Sequence, residues 1–233
     1  LIFATPALKI VRIQHKIEFM TIRFLIYLAL ILIGFVAGAV KYKRLTAPFK
    51  FLVIFLLVTF ISESISRIIA LKVHNSSPVY HFYVLLLVSF FSIIYFLLIP
   101  QKGVRVFILV SCFTFLILSS LNSIFLQNLQ VFPSLSILIG SVIIILFSLS
   151  LFKYLVDKKM IFNKHNIIWF NTSVLIYFTI QIFSWGVYSY LIRKNLNSKT
   201  ISDVAFFTNI LFYSSIALLF ITYQKNKEVN ASL

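Results

Sequence analysis

The sequence predicts an all-α polytopic membrane protein, folded as a single bundle of seven transmembrane helices. Of its 233 residues, 61% are hydrophobic and only 11% are charged, whereas a water-soluble domain has about a quarter of its residues charged. The apolar residues also come in runs of about 20, the length that crosses the hydrocarbon core as a helix. Because a backbone amide in lipid has no water to bond, such runs must be helical.

The seven predicted spans cover residues 22–40, 51–71, 80–99, 105–126, 134–155, 167–191 and 203–223. Polar connectors separate them, and all five prolines fall in tails, in connectors or at helix ends, where a missing N–H is harmless. We therefore expect unbroken helices through the membrane, unlike the discontinuous helices that form substrate sites in many secondary transporters. Residues 20–233 are expected to form one transmembrane domain.

Residues 1–19 are predicted to stand apart from this domain. The chain begins with Leu1, and Met20 lies just ahead of the first apolar run. We interpret residues 1–19 as an extension upstream of a natural start at Met20. If they are translated, their basic side chains predict an amphipathic segment that lies on the membrane surface.

The lysines and arginines predict the orientation of the bundle. The net charge is +16, and most of these residues lie in the connectors after the first, third and fifth spans and in the C-terminal tail. Since basic connectors stay in the cytoplasm, the C-terminus is expected inside and the N-terminus outside. Charge confined to short connectors argues against a nucleic-acid partner. The expected partner of these basic connectors is the anionic surface of the lipid bilayer.

The stretch TFISESISR (59–67) places Glu63 and Arg67 four residues apart inside the second span, although the chain has only five acidic residues. A charge within a span is costly, so it is a functional-site candidate. On the predicted orientation, Glu63 lies in the outer half of its helix. Two interpretations stay open: an ion pair at the helix end, with Arg67 reaching the headgroups, or the anionic centre of a pocket.

Four other spans bring hydrogen-bonding side chains to the same level: His81, Asn122, Gln181 and Asn209. With Glu63 and Arg67 they form the predicted ligand-binding set, an outward-facing polar pocket. The competing interpretation is hydrogen bonding between helices, which contributes about 0.6 kcal/mol per pair. No catalytic residue, metal site or cofactor is predicted, because metal sites require several His, Cys or carboxylate ligands together.

Small residues in the spans predict packing contacts. The segment GFVAG, from Gly34 to Gly38, is a G-x-x-x-G pattern that lets helices approach closely, and we interpret it as a contact within the bundle. Cys112 is the single cysteine, so an intramolecular disulfide is excluded. It is interpreted as a small packing residue.

Three seven-helix or intramembrane families have motifs that can be compared with these residues. Microbial rhodopsins hold retinal on a lysine of the last helix, and DVAFFTNILFYSSIALLFITY (203–223) has none, so a retinal protein is excluded. The segment SESISR resembles the E-E-x-x-x-R signature of intramembrane CAAX-processing proteases, but Ser62 stands where the first Glu, the general base, is expected. The segments VYHFY, LNSIFLQNLQVFPS, IIWFNTSVLIYF and FTNILFY together resemble small, uncharacterised seven-helix inner-membrane proteins of Bacteroidetes. That resemblance implies an inner-membrane bundle with Glu63 and His81 on the periplasmic side, and it supplies no catalytic residue.

The sequence thus favours an inner-membrane sensor or accessory subunit that binds a small polar or headgroup ligand and acts through a signalling partner. A transporter or proton-coupled carrier that titrates Glu63 is the first alternative. A lipid-modifying enzyme that uses Glu63 and His81 as its acid–base couple is the second. A structural membrane protein without a small ligand is the third.

Overall fold

A computed structural model describes residues 6–159, 165–194 and 199–223 of the chain. Within these residues the backbone forms seven α-helices, each with a stretch long and apolar enough to cross a membrane. Their bounds are α1 Pro6–Val40, α2 Ala47–Val73, α3 Ser77–Leu98, α4 Lys102–Leu121, α5 Ser134–Asp157, α6 His165–Arg193 and α7 Lys199–Thr222. The predicted all-α, seven-helix membrane fold is confirmed, and the protein is a multi-pass membrane protein.

Helix ends differ from the predicted spans by a few residues in most cases. The largest difference is in α1, whose helical backbone begins at Pro6 and so continues upstream of the span. α4 ends at Leu121 and passes into a π-helical turn, Asn122–Leu126, where the sequence predicted a continuing helix. α2 ends where His74 adopts a left-handed conformation with φ of 60°. No helix within the described ranges is interrupted between its ends, as the placement of the prolines predicts.

Six helices close a ring and the seventh packs outside it. α1 packs against α2 and α7, α2 against α3, α3 against α5, α5 against α6, and α6 against α7, while α4 packs against α3 and α5. Consecutive helices alternate in direction, so the bundle has two ends. The "Glu63 end" holds the starts of α1, α3, α5 and α7 and the ends of α2, α4 and α6. The "Lys41 end", which includes the connector from Lys41 to Thr46, is the opposite one.

The middle of the bundle is filled by phenylalanine rings. Phe91 of α3 lies at the centre, with its ring 5.3 Å from that of Phe55 and 5.1 Å from that of Phe178, between ring centroids. A stacked contact at 6.3 Å joins it to Phe170. All four side chains are buried. Aromatic rings prefer such edge-to-face and offset contacts, which add to the burial of their area, so this layer packs α2, α3 and α6 together beneath the Glu63 end.

The GFVAG segment packs inside the bundle, as predicted. A Cβ at Gly38 would lie 2.5 Å from Val53 of α2 and 3.3 Å from Phe220 of α7. A Cβ at Gly34 would lie 3.2 Å from Leu56. The missing side chains therefore let α1 sit close to both of its neighbours.

A fully buried polar cluster lies on the Lys41 side of the phenylalanine layer. The Tyr95 hydroxyl donates to Oδ1 of Asn171 at 2.8 Å, and Asn171 Nδ2 donates to the Ser148 carbonyl at 3.0 Å. The Ser148 hydroxyl donates back to the Asn171 carbonyl at 3.4 Å. All three residues are 0% exposed. We call Tyr95, Ser148 and Asn171 the closed cluster, because they join α3, α5 and α6 with every side-chain polar group paired.

Candidate ligand-binding site

A cavity of about 340 Å³ lies at the Glu63 end, enclosed by every helix except α4 and by the connector between α4 and α5. It is partly open, and its volume is at the lower limit of small-molecule sites, which occupy about 300–1,000 Å³. Its lining residues are Arg23, Phe24, Tyr27, Glu63, Tyr80, Tyr83, Val84, Leu87, Phe132, Ile137, Ser141, Tyr177, Phe178, Gln181, Trp185, Ala205, Phe206, Asn209 and Tyr213.

Glu63 is a wall residue of this cavity, held between two tyrosine hydroxyls. Tyr27 of α1 donates to its Oε1 at 3.1 Å, and Tyr80 of α3 donates to its Oε2 at 3.3 Å. Because the carboxylate accepts one bond from each neighbouring helix, it joins α1, α2 and α3. A carboxylate oxygen has more than one lone pair, so Glu63 retains accepting capacity for a group inside the cavity.

Arg67 is not among the described residues that line the cavity, and the ion pair with Glu63, one of the two interpretations left open by the sequence, is not formed. The Arg67 guanidinium lies over the Phe24 ring, 5.4 Å from the centroid. Among the described residues the ion pair joins Arg23 to Asp203 at 2.6 Å. Residues four apart share a helix face but need not point to the same place. Tyrosine hydroxyls reach Glu63 from α1 and α3, while the longer Arg67 side chain extends onto α1.

Five tyrosines line the cavity, and sequence reasoning assigned none of them to the site: Tyr27, Tyr80, Tyr83, Tyr177 and Tyr213. They come from α1, α3, α6 and α7. Tyr83 shares a hydrogen bond with Thr59 at 3.2 Å, and the rings of Tyr27 and Tyr213 meet edge to face at 5.4 Å. Tyrosine is common at membrane interfaces because its ring is amphipathic. A functional cluster of tyrosines is therefore hard to recognise in the sequence. The usable signal was the depth of Tyr27 and Tyr213, well inside their apolar runs.

Gln181 and Asn209 form an amide pair on the opposite wall. Gln181 Nε2 and the Tyr177 hydroxyl both donate to Oδ1 of Asn209, at 3.3 and 2.9 Å. Gln181 is only 5% exposed, yet its Oε1 has no hydrogen-bond donor among the described residues. A buried acceptor without a partner costs about 1–3 kcal/mol. The cavity beside it is where a donor can be supplied.

His81 and Asn122 share the level of Glu63 but not its cavity. The two ring nitrogens of His81 bond Ser123 Oγ at 2.7 Å and the Val131 carbonyl at 2.8 Å. His81 is 4% exposed and fastens α3 to the π-helical turn and the connector that follows α4. His81 is not among the described residues that line the cavity, because equal depth in the membrane does not give equal rotation about the helix axis.

Asn122 begins that π-helical turn. Its Nδ2 donates to Gln127 Oε1 at 3.0 Å and to Ser136 Oγ at 3.2 Å. Asn122 is 7% exposed, and its Oδ1 has no partner in the described part of the chain. These bonds close the α4–α5 connector over α5, so Asn122 is a connector residue and not the predicted wall residue.

Glu63 and His81, the residues of the alternative acid–base couple, share no hydrogen bond in the described part of the chain. The hydrogen bonds of Glu63 go to tyrosines, whereas those of His81 go to Ser123 and Val131. In the described ranges no three His, Cys, Asp or Glu side chains come together as metal ligands. What the cavity offers is a carboxylate, amide and hydroxyl groups, and a large aromatic surface, which are groups for binding.

Comparison with protein-family models, with curated proteins and with solved structures finds no match to this chain. The geometry of the cavity therefore carries the functional argument.

Proposed function

We propose that this multi-pass membrane protein is an inner-membrane sensor or accessory subunit that binds a small ligand in the Glu63 cavity. The observation that carries the proposal is a cavity of ligand size with a carboxylate in its wall. Ionisable groups placed within a membrane are costly and are rarely retained without a role. A role limited to joining helices needs no cavity, as the closed cluster illustrates.

The groups facing the cavity support binding more than helix pairing. Gln181 keeps a buried oxygen without a donor, and Glu63 uses only one bond at each oxygen. In the closed cluster the side chains satisfy one another, since an unpaired polar atom in an apolar surrounding costs free energy. Unused acceptors beside an open volume are typical of a site that awaits its ligand.

The region beneath the cavity supports binding more than transport. Phe178 lines the cavity and packs edge to face on Phe91, within the buried phenylalanine layer. α2, α3 and α5 run unbroken past this layer, whereas many carriers place a discontinuous helix at the substrate site. A solute in the cavity thus faces a packed floor and not a path through the bundle.

The proposed orientation places the Glu63 end in the periplasm and the Lys41 end in the cytoplasm. It rests on the basic connectors of the Lys41 end and on the resemblance to seven-helix inner-membrane proteins. A sensor or accessory subunit so placed would pass its signal to a partner through the Lys41 end.

A single tryptophan can report on binding. The chain has two tryptophans: Trp185 lines the cavity and stacks on Phe132 at 4.5 Å, while Trp169 is 41% exposed. Trp169→Phe in nanodiscs leaves only the cavity reporter, and Trp185→Phe is the matched control. We expect a saturable change in Trp185 emission with at least one class among alkylamines, carboxylates and polyols, and none with the control. A flat response to all three classes would contradict a binding function.

Uptake separates the sensor from the carrier. Proteoliposomes that contain the protein should bind the responding probe without accumulating it. Accumulation of that probe above the level in protein-free liposomes, abolished by Glu63→Gln, would show that the protein is a transporter and not a sensor.

Matched cysteines test the orientation. In a Cys112→Ser background, Lys72→Cys lies exposed at the Glu63 end and Lys43→Cys lies exposed at the Lys41 end. A membrane-impermeant thiol reagent applied to spheroplasts should label only Lys72→Cys. Labelling of Lys43→Cys alone would mean that the bundle has the opposite orientation, with the Lys41 end outside.

A further inference from the structure

We infer that the ligand of the Glu63 cavity is a small alkylated ammonium cation, held between the Glu63 carboxylate and the aromatic wall. This inference deepens the proposed function and rests on it. It is carried by the charge of the lining, by the aromatic surface and by the unpartnered Gln181 oxygen.

The charged groups of the lining favour a cation. Among the described lining residues, Glu63 is the one carboxylate and Arg23 the one cation. Arg23 is neutralised by Asp203, whose Oδ1 lies 2.6 Å from Nη1. The Glu63 carboxylate, by contrast, is held by two neutral hydroxyls. An anionic ligand would lie against this carboxyl group and compete with Asp203 for Arg23, whereas a cation would supply the counter-charge that an ionised Glu63 lacks among the described lining residues.

The aromatic side chains make up more than half of the described lining. A cation within about 6 Å of a ring centroid is attracted by the ring quadrupole, and aromatic cages recognise methylated ammonium groups in this way. Two rings of this wall already accept cations: the guanidinium of Arg23 lies 4.7 Å from the Phe206 centroid, and that of Arg67 lies over Phe24. The rings of Tyr83 and Tyr213 line the same cavity and offer further surface.

The buried Gln181 oxygen favours the same class of ligand. It is an acceptor without a donor, on the wall opposite Glu63. An ammonium N–H can donate to it, and the polarised methyl groups of a quaternary ammonium are attracted to it. A carboxylate or phosphate would bring two acceptors together, which is repulsive.

Such a cation has two sources in a membrane, a free solute or the headgroup of a lipid. The test uses the Trp169→Phe protein in nanodiscs of phosphatidylglycerol, with Trp185 emission as the signal. The probes are tetramethylammonium, choline, and 3,3-dimethyl-1-butanol, which has the shape of choline without its charge. We expect both cations to bind about thirtyfold or more tightly than the alcohol, as for a desolvated cation facing a carboxylate and rings.

One single variant and one pair of variants locate the binding groups. Glu63→Gln should weaken choline binding about thirtyfold and leave the alcohol unaffected. Tyr83→Phe keeps the ring and should keep affinity, whereas Tyr83→Leu should weaken choline about fivefold. The Tyr83 pair tests the inference independently if Glu63→Gln fails to fold. Doping the nanodiscs with phosphatidylcholine identifies the source: competition with free choline shows a headgroup ligand, and unchanged affinity shows a free solute.

Several results overturn the inference. Equal binding of choline and the alcohol, undiminished choline binding in Glu63→Gln, or equal loss in Tyr83→Phe and Tyr83→Leu would each exclude a carboxylate-and-ring cation site. Binding of acetate or ribitol with no response to either cation would exclude the ammonium while leaving the proposed binding function intact. A flat Trp185 response to every probe would contradict both the ammonium ligand and the proposed binding function.

Discussion

The closed cluster and the Glu63 cavity contain the same type of hydrogen bond, but it serves a different role in each. In each, a tyrosine hydroxyl donates to an asparagine oxygen, from Tyr95 to Asn171 at 2.8 Å and from Tyr177 to Asn209 at 2.9 Å. Asn171 and Tyr95 are 0% exposed and Ser148 completes their bonding. Asn209 instead lines a cavity. Its neighbour Gln181 retains an unpartnered oxygen.

The difference shows that polar residues within a membrane bundle are not one category. Where a serine of the adjacent helix completes the bonding, the amide stabilises helix packing. Where a cavity lies beside it instead, the same amide group can bind a ligand. Equivalent substitutions in the closed cluster and in the cavity wall test this difference.

The largest expected difference is between Asn171→Ala and Asn209→Ala. Removing the Asn171 amide leaves the Tyr95 hydroxyl buried without a partner, so we expect a loss of about 2 kcal/mol in the free energy of unfolding. Asn209→Ala should cost about 0.6 kcal/mol, because water in the cavity can bond Tyr177. Denaturant titration in mixed micelles measures both. Equal losses would mean that the cavity is as closed as the cluster.

Gly38→Ala is the next largest change. The added Cβ would lie 2.5 Å from Val53 and 3.3 Å from Phe220, and overpacking typically costs about 1–3 kcal/mol. Gly34→Ala is the milder control, since its closest contact is 3.2 Å. A Gly38→Ala protein as stable as wild type would show that α1 can move away from α2 and α7 at no cost.

Gly186→Ala should act in the opposite direction. Gly186 follows the cavity residue Trp185, and a Cβ there meets nothing within 4 Å. Alanine should therefore stabilise α6 by about 0.7 kcal/mol through helix propensity alone. The midpoint of the same denaturant titration detects it, and a destabilised variant would indicate that the flank of the cavity is tightly packed.

Gln181→Leu is expected to change the stability least while weakening binding. It removes a buried acceptor that has no donor together with the 3.3 Å bond from Nε2 to Asn209; because these two effects oppose each other, the free energy of unfolding should stay within about 0.5 kcal/mol of wild type. Choline binding, read from Trp185 emission, should weaken. A large loss of stability would place Gln181 in the same role as Asn171.

The spans were predictable and the rotation of each helix was not. Apolar runs of membrane length require helices, and the placement of Glu63 in the second run identified one wall of the cavity. A membrane helix is apolar on all sides, so its sequence has no polar face that marks the interior. His81, Asn122 and Arg67 therefore shared a predicted level with Glu63, and the structure turns them elsewhere.

Depth can be read from one sequence, but partners cannot. Gln181 and Asn209 were predicted as site residues from depth, and both line the cavity. The tyrosines were missed because their rings are compatible with apolar runs and their hydroxyls reveal nothing until another helix is beside them. The carbonyl of Val131 that receives His81 belongs to a connector, and no periodic pattern describes it.

The ring of helices closes between α1 and α7, and α1 leaves the ribosome before α7, with α2 to α6 between them. Arg23 meets Asp203 across 180 positions of sequence, and Lys41 reaches the Ile221 carbonyl across another 180. During synthesis, α1 must therefore wait in the membrane until α7 arrives. A nascent chain arrested after α6 has Glu63 and Tyr27 but not Asn209 or Tyr213. The site is completed only when α7 inserts, so any quality control that recognises an exposed Arg23 or Lys41 can distinguish a chain without α7 from one that contains it.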